Sequence, residues 1–382
     1  MNGTPARVAL QLAERSAVLW ELRARRVEAE ETTLAELLDV DDELASALDA
    51  LAADPRCDHA IAELAEVAAD LPSTLFVLAA TRWLRGLEVT ERTGAAVGSP
   101  APMDAVMATA LHDAAVWVGS ETASRGVASL AAEGLHAPVR AAAIRALGAL
   151  ARDPSPVVRR ALADRSPECR LAAYDVVATR RLAISAIAVA TGMDDPDRDV
   201  RATATRAAAS VGDIPRVREA IARASATGDD AWLLAVRELV ALLPDRESEA
   251  IVRGVAESAH TTVARRRVAE LIGWAGHTRL LAVLDTDRTP EDAVGSVLAR
   301  RTIWGDDAPL PPASGDRRLL GRPRTCETMV EILSEASQPY RRIAVWALAG
   351  LAPHAPVLDV SAPAWRQRRM LALLRVNATG RD

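Results

Sequence analysis

Apolar residues along this chain recur at intervals of three and four, the spacing of one helical face. Near the N-terminus Val8, Leu12, Leu19, Leu22 and Val27 keep that spacing, with Trp20 on the flank. Thr33 followed by Glu36 is a capping box, in which each side chain satisfies a backbone N–H at the helix start. It opens a second stripe through Leu34, Leu37, Leu38, Leu44, Leu48 and Leu51, which stops at Asp54-Pro55. A helix pair is expected from 56 to 90, turning at Pro72-Ser73 and facing Leu75, Leu78, Ala79 and Trp83 inward. Thr93 to Pro102 is rich in Gly, Ala and Pro and predicts a loop, followed by helices over 103–118 and 121–133. No long alternating run of Val, Ile, Thr or Tyr marks a strand, so the expected class is all-α.

Between 134 and 213 one phrase is repeated. His136-Ala-Pro-Val-Arg140 opens Ala-Ala-Ala-Ile-Arg-Ala-Leu-Gly148, Ser166-Pro-Glu-Cys-Arg170 opens Leu-Ala-Ala-Tyr-Asp-Val-Val-Ala178, and Asp195-Pro-Asp-Arg-Asp-Val-Arg201 opens Ala-Thr-Ala-Thr-Arg-Ala-Ala-Ala209. Pro138, Pro167 and Pro196 are 29 residues apart, a period that predicts a stacked-helix array, an α-solenoid. Val139, Cys169 and Val200 share one register, which makes the cysteine a small core residue. Further on, Trp232 to Leu243 predicts a long apolar helix, and Val263 to Gly273 resembles the second helix of a repeat. Thr289-Pro290-Glu291-Asp292 is a helix start, with proline and acids in the first turn. Gly305 to Thr325 interrupts the pattern with prolines and glycines and predicts a long functional loop or linker. Gln338-Pro339-Tyr340-Arg341 to Leu351 restores a repeat-like helix, and Trp365 to Val376 predicts a basic final one. These features divide the chain into an acidic N-terminal helical cap at 1–55, a solenoid at 56–302, a Pro/Gly/Arg loop at 303–325 and a C-terminal repeat with a basic cap at 326–382.

Composition narrows the chemistry. Half of the residues are hydrophobic but only 3 % aromatic, and alanine leads, which suits thin helix pairs in a row. The chain contains no lysine, so Schiff-base chemistry, a Gly-Lys-Ser/Thr phosphate loop and a serine–lysine dyad are excluded. A net charge of −6 disfavours nucleic acid as a partner. That charge is unevenly placed: residues 1–70 hold 16 acids against 6 arginines, and residues 300–382 hold 13 arginines against 8 acids. Opposite signs at the two ends favour head-to-tail contacts or separate partners. Cys57, Cys169 and Cys326 are too few and too scattered for a disulfide framework or a zinc site. No signal-like or membrane-spanning stretch is legible, and a cytoplasmic protein is expected.

Candidate sites are few. Asp195-Pro-Asp197-Arg-Asp199 has the alternating aspartates of a calcium loop, but Val200 and Arg206 occupy the positions that need glycine and a bidentate glutamate. Asp164 stands six residues before Arg170 and Asp195 six before Arg201, which predicts aspartate–arginine pairs bracing the stack, locally or between repeats. His59 and Glu63 can share a helix face, but two ligands make no metal site. His112 and Asp113, being adjacent on a helix, are expected to point apart. Trp232, Trp274 and Trp346 fall on apolar faces and are expected to be packing residues. No metal, cofactor or catalytic residue is assigned. The partner-binding candidates are Arg317, Arg318, Arg322 and Arg324, on a loop expected to be mobile and able to capture an acidic segment.

The phrases at 136–148, 166–178 and 195–212 resemble HEAT repeats of the short type. Leu19-Trp-Glu-Leu-Arg23 with Thr33-Leu-Ala-Glu-Leu-Leu-Asp-Val-Asp-Asp-Glu-Leu-Ala-Ser-Ala-Leu-Asp-Ala-Leu51 resembles the opening of an uncharacterised bacterial HEAT-repeat family sometimes encoded near type VI secretion genes, departing from it at Asp42. That resemblance implies a HEAT/armadillo-like superhelix and a scaffold or adaptor without catalytic residues. HEAT-like DNA glycosylases and bilin lyases also use such repeats and supply the alternative. The acidic pI disfavours the first, and the lack of a cysteine–histidine or aromatic cluster lends the second no support. The expected function is therefore protein binding by a non-catalytic scaffold.

Overall fold

A computed structural model of the chain describes residues 5–67, 71–90, 105–134, 136–227, 236, 240, 243, 245–258, 262–281, 297–303, 317–352 and 355–379. The loop expected at Thr93 to Pro102, the helix start at Thr289 to Asp292 and most of the helix at Trp232 to Leu243 lie outside those residues. Where described, the chain is mostly helical with almost no sheet, as the periodicity predicts. It forms two compact units, Met1–Leu182 with Val360–Gln367, and Ala183–Asp359 with Arg368–Asp382, a division drawn differently from the sequence boundaries.

The first unit contains α1 (Pro5–Glu28), α2 (Leu34–Ala53), α3 (Cys57–Val67), α4 (Leu71–Leu84), α5 (Ala105–Val118), α6 (Glu121–Glu133), α7 (Ala137–Leu150), α8 (Ser155–Ala161) and α9 (Pro167–Arg180). Helices α4, α5, α7 and α9 form a row, each packed on the next, while α6 lies against α7, and α8 contacts both α7 and α9. Alanine and glycine make this spacing possible. A Cβ on Gly148 of α7 would come 2.6 Å from Val176 Cγ2 of α9, closer than such atoms approach. Arg180 then closes the end of α7, its Nη1 donating to Gly148 O at 2.6 Å and its Nη2 to Ala151 O at 3.3 Å.

Helix α1 packs on α2, α3 and α4. Its buried residues are Ala9, Ala13, Ser16, Ala17, Leu19, Trp20, Arg23 and Val27; of the expected face Leu19 and Val27 are buried, whereas Val8 and Leu22 are exposed. The expected face is thus corrected in part: small residues let α1 approach its neighbours, and Trp20 fills the remaining space by stacking on Phe76 at 5.2 Å. The capping box forms as expected between Thr33 and Glu36. Pro72 and Ser73, expected between helices, lie in the first turn of α4, where a missing proline N–H has no intrahelical partner to lose.

The second unit contains α10 (Ala186–Met193), α11 (Arg198–Ser210), α12 (Ile214–Thr227), α13 (Asp245–Ser258), α14 (Thr262–Ala275), a hairpin of β1 (Arg318–Leu319) and β2 (Arg322–Pro323), α15 (Cys326–Glu335) and α16 (Gln338–Leu351); α17 (Ala364–Thr379) ends the chain. Adjacent pairs α10–α11, α11–α12, α13–α14 and α15–α16 pack together. The hairpin turns at Leu320-Gly321, both at positive φ, and continues into a bridge between His277 and Arg317. This is a correction to the mobile loop expected at 303–325: residues 304–316 lie outside the described ones, but 317–325 are folded. Val139, Cys169 and Val200 are all buried, each on its own repeat helix.

Candidate functional site

The repeated arginines are answered by one local geometry. Arg140 Nη1 donates to Gly134 O at 3.0 Å, Arg170 Nη1 to Asp164 O at 2.9 Å, and Arg201 Nη1 to Asp195 O at 2.8 Å. Each guanidinium thus ties the first turn of its helix to the carbonyl six residues earlier. The aspartates face another task, since Asp164 Oδ1 accepts the Ser166 N–H at 2.8 Å and Asp195 Oδ1 the Asp197 N–H at 2.9 Å, an Asx turn ahead of each helix. Asp164 also accepts both Nε and Nη2 of Arg140, at 3.3 and 3.1 Å, so the carboxylate–arginine pair runs between repeats. Burial works against ionising Asp164, but Arg140 and the Ser166 N–H hold its carboxyl below the usual range. Of the two pairings expected, local or between repeats, Asp164 takes the second, with Arg140 of the preceding repeat, while the contact inside each repeat is arginine to carbonyl. Asp197, part of the calcium-like phrase, is the N-cap of α11 and accepts from the N–H groups of Asp199 and Val200.

The four loop arginines have separate placements. Arg317 donates from Nη1 and Nη2 to Val240 O and Leu243 O, both at 3.2 Å, while its Nε lies 2.8 Å from Asp245 Oδ1, an ion-pair contact whose angle falls short of a hydrogen bond. Arg318 Nη1 donates across the hairpin to Gly321 O at 2.8 Å. Arg324 Nη2 donates to Trp274 O at the C-terminal end of α14, where carbonyls lack partners and carry negative potential. Gly276, at φ +70°, makes room: a Cβ there would sit 2.5 Å from Arg318 O and 2.8 Å from Arg324 Nε. Arg322 is half exposed and lies 3.3 Å from Glu331 and 3.7 Å from Glu335 on α15. Arg317 and Arg324 therefore face into the second unit and hold its turns, and Arg322 is the one on the surface.

Beside them lies a pair that the sequence reading missed. Ser248 Oγ and His277 Nε2 are 2.8 Å apart, with Ser248 fully buried and His277 4 % exposed. Burial, then the charges of Arg317 and Arg324, push the His277 pKa down to about 3, so the ring is neutral at physiological pH. The distance is that of a nucleophile and its base. A serine with no exposed surface has no path to a substrate, and the pair reads as a satisfied polar contact between α13 and the turn after α14. Its 29-residue separation equals the proline period, and that interval was the available signal.

His112 and Asp113, expected to diverge, are joined instead: His112 Nδ1 lies 3.0 Å from Asp113 Oδ1, and Asp113 Oδ2 accepts Trp20 Nε1 at 3.3 Å. The half-buried Trp274 and Trp346 meet edge to face at 6.2 Å, and the Arg206 guanidinium lies 5.4 Å from the Trp346 ring centre. Among the described residues no group of three His, Cys, Asp or Glu side chains is placed to hold a metal ion, and no helix is long and apolar enough to cross a membrane.

The N-terminal helix pair carries two polar arrangements. Inside, Asp41 Oδ1 accepts Arg23 Nε at 2.7 Å and Oδ2 accepts the Ala364 N–H at 2.5 Å, while Arg23 Nη2 donates to Ser361 O at 2.9 Å. Burial pushes the Asp41 carboxyl up, against the pull of Arg23 and the Ala364 N–H. Segment 360–367 thereby covers part of this helix pair, with the Gln367 amide donating to Val360 O and Ala362 O. Outside, a cavity of about 320 Å³ opens between α1 and α2, lined by Leu12, Arg15, Asp42, Glu43, Ser46 and Ala47. Arg15 and Glu43 pair across it at 2.9 Å. Helix α2 contains six acids and no basic residue. Asp39, Asp42 and Asp49 are exposed and make no ion pair or side-chain hydrogen bond; with Ser46 they stand at helical intervals along one face. The arrangement is an acidic groove with an apolar floor, suited to an arginine-bearing helix. No family model and no curated protein matches this chain.

Proposed function

We propose that the chain is a non-catalytic, protein-binding scaffold of the cytoplasm, a right-handed α-solenoid of HEAT-like helix pairs. One observation carries this reading: the same arginine-to-carbonyl brace recurs at Arg140, Arg170 and Arg201, so the most conspicuous charged residues are spent on building successive units. The row of α4, α5, α7 and α9 supports it, because each helix contacts its successor, the nearest-neighbour pattern of a repeat array. Recognition then falls to residues that do not repeat, and the α1–α2 groove, lined by Leu12, Arg15, Asp42, Glu43, Ser46 and Ala47, is one such surface. Affinity purification from the native host, with cross-linking mass spectrometry, tests the proposal. Cross-links from a protein partner to the α1–α2 surface or to the exposed Arg322 are expected. Recovery of a turned-over small molecule or a bound pigment, with no protein partner, sinks it.

A further inference from the structure

The last helix, α17, is the electrostatic counterpart of α2. It holds Arg366, Arg368, Arg369 and Arg375 and no acid. Its exposed face combines Trp365, 43 % exposed, with Leu373 at 51 % and Val376 at 68 %. Arg368 and Arg369 stand beside them, exposed and without an ion pair or hydrogen bond. Trp365, Arg369, Leu373 and Val376 follow at intervals of four, four and three, so apolar and cationic groups share one stripe. Three apolar side chains left in water on a single helix mark a contact surface more than a chance exposure. For its part, α2 presents Asp39, Asp42 and Asp49 unpaired, next to a groove whose floor is Leu12 and Ala47, with the exposed Val8 one turn before Leu12 on α1. Each surface has the charge sign the other lacks, and each sets it around exposed apolar groups.

We propose that a second copy of this chain docks the exposed face of its α17 on the α1–α2 groove, in a head-to-tail contact. Arg368 and Arg369 meet Asp39 and Asp42, while Trp365 and Leu373 cover Leu12 and the exposed Val8 of α1. The two surfaces are different patches of one chain, so the contact is heterologous and each copy keeps one free surface of either kind. Association therefore continues past the dimer unless the geometry closes a ring.

Sedimentation velocity and light scattering on the full chain, over a concentration series at about 0.05 M and about 0.5 M NaCl, test this directly. Concentration-dependent growth in mass is expected at low salt, with association weakened about tenfold or more at high salt. The doubly substituted chains D39R/D42R and R368E/R369E change only exposed side chains, and circular dichroism checks that each stays helical. Each alone should remain monomeric. Mixed, they should associate again, because the reversed α2 of one now fits the reversed α17 of the other. A wild-type chain that stays monomeric at low salt overturns the proposal, as does association that neither pair of substitutions alters. If one variant loses helicity, the other, measured alone and at both salt concentrations, decides. The inference stands apart from the scaffold reading, since an unrelated partner can be found or missed without changing the mass of the purified chain.

Discussion

Arg140 holds Asp164 from one repeat away. Two nitrogens of the guanidinium grip both oxygens of a carboxylate 24 residues further on, and the same guanidinium donates to Gly134 O within its own repeat. Both side chains are mostly buried, so the contact is shielded from salt. Arg140→Ala is expected to cost about 2 kcal/mol in urea unfolding, the loss of charged hydrogen bonds that leaves a carboxylate without its cation. Arg140→Ala with Asp164→Ala should cost less than the two single changes together; strict additivity would show that the pair does not couple the repeats.

Asp41 carries a larger load. It is the acceptor for both Arg23 and the first N–H of α17, and its side chain is 2 % exposed. Asp41→Ala strands a guanidinium that is itself 10 % exposed, and a loss of about 3–5 kcal/mol follows from an unpaired buried charge. Denaturant midpoints for the full chain check this. A midpoint unmoved by Asp41→Ala would place Arg23 in solvent.

The neutral His277 sets a pH dependence. Its folded pKa of about 3 lies below the ordinary 6.5, so above about pH 6.5 neither folded nor unfolded chain carries the proton. As the pH falls from about 6.5 toward 3, the unfolded chain binds a proton that the folded chain excludes, and stability drops by up to about 1.4 kcal/mol per unit. His277→Gln should flatten that part of the stability curve, with carboxylate contributions common to both chains. Equal slopes for the two proteins between pH 6 and 4 would mean that the ring is open to water.

Gly148 is a packing requirement at the α7–α9 crossing. Gly148→Ala places a methyl where Val176 already sits, and overpacking of this kind costs about 1–3 kcal/mol despite alanine's better helix propensity. Thermal unfolding of Gly148→Ala beside Gly148→Ala/Val176→Ala separates the two effects. The second change should recover most of the loss, and failure to do so would show that the helices are not in close contact there.

Much of this arrangement is readable from the residues alone. Period and capping placed α2, α5, α6, α7, α9 and α16 because those signals are local: a proline or threonine at a helix start acts within one turn. The buried face of α1 was read correctly at Leu19 and Val27 and misread at Val8 and Leu22, because alanine weighs little on any hydrophobic scale yet decides how near two helices come. The arginines at 317–325 were misread for a related reason. Four cations among prolines look like a solvated loop, and only the fold shows that the open carbonyl of Trp274 needs one of them. The α1–α2 groove left no motif, since Leu12 and Asp42 are brought together by the helix crossing alone.

The bond from the Ala364 N–H to Asp41 spans 323 residues of chain. At a synthesis rate of about 5–20 residues per second, the first helix pair leaves the ribosome roughly a quarter of a minute to a minute before its last hydrogen-bond donor exists. Through that interval Asp41 lacks the Ala364 N–H and Arg23 lacks the Ser361 carbonyl, and the surface later covered by 360–367 is open. A nascent chain is thus most vulnerable at α1 and α2 until 360–367 are made, and a chain cut short before Ala364 carries its damage at Asp41, hundreds of residues from the cut.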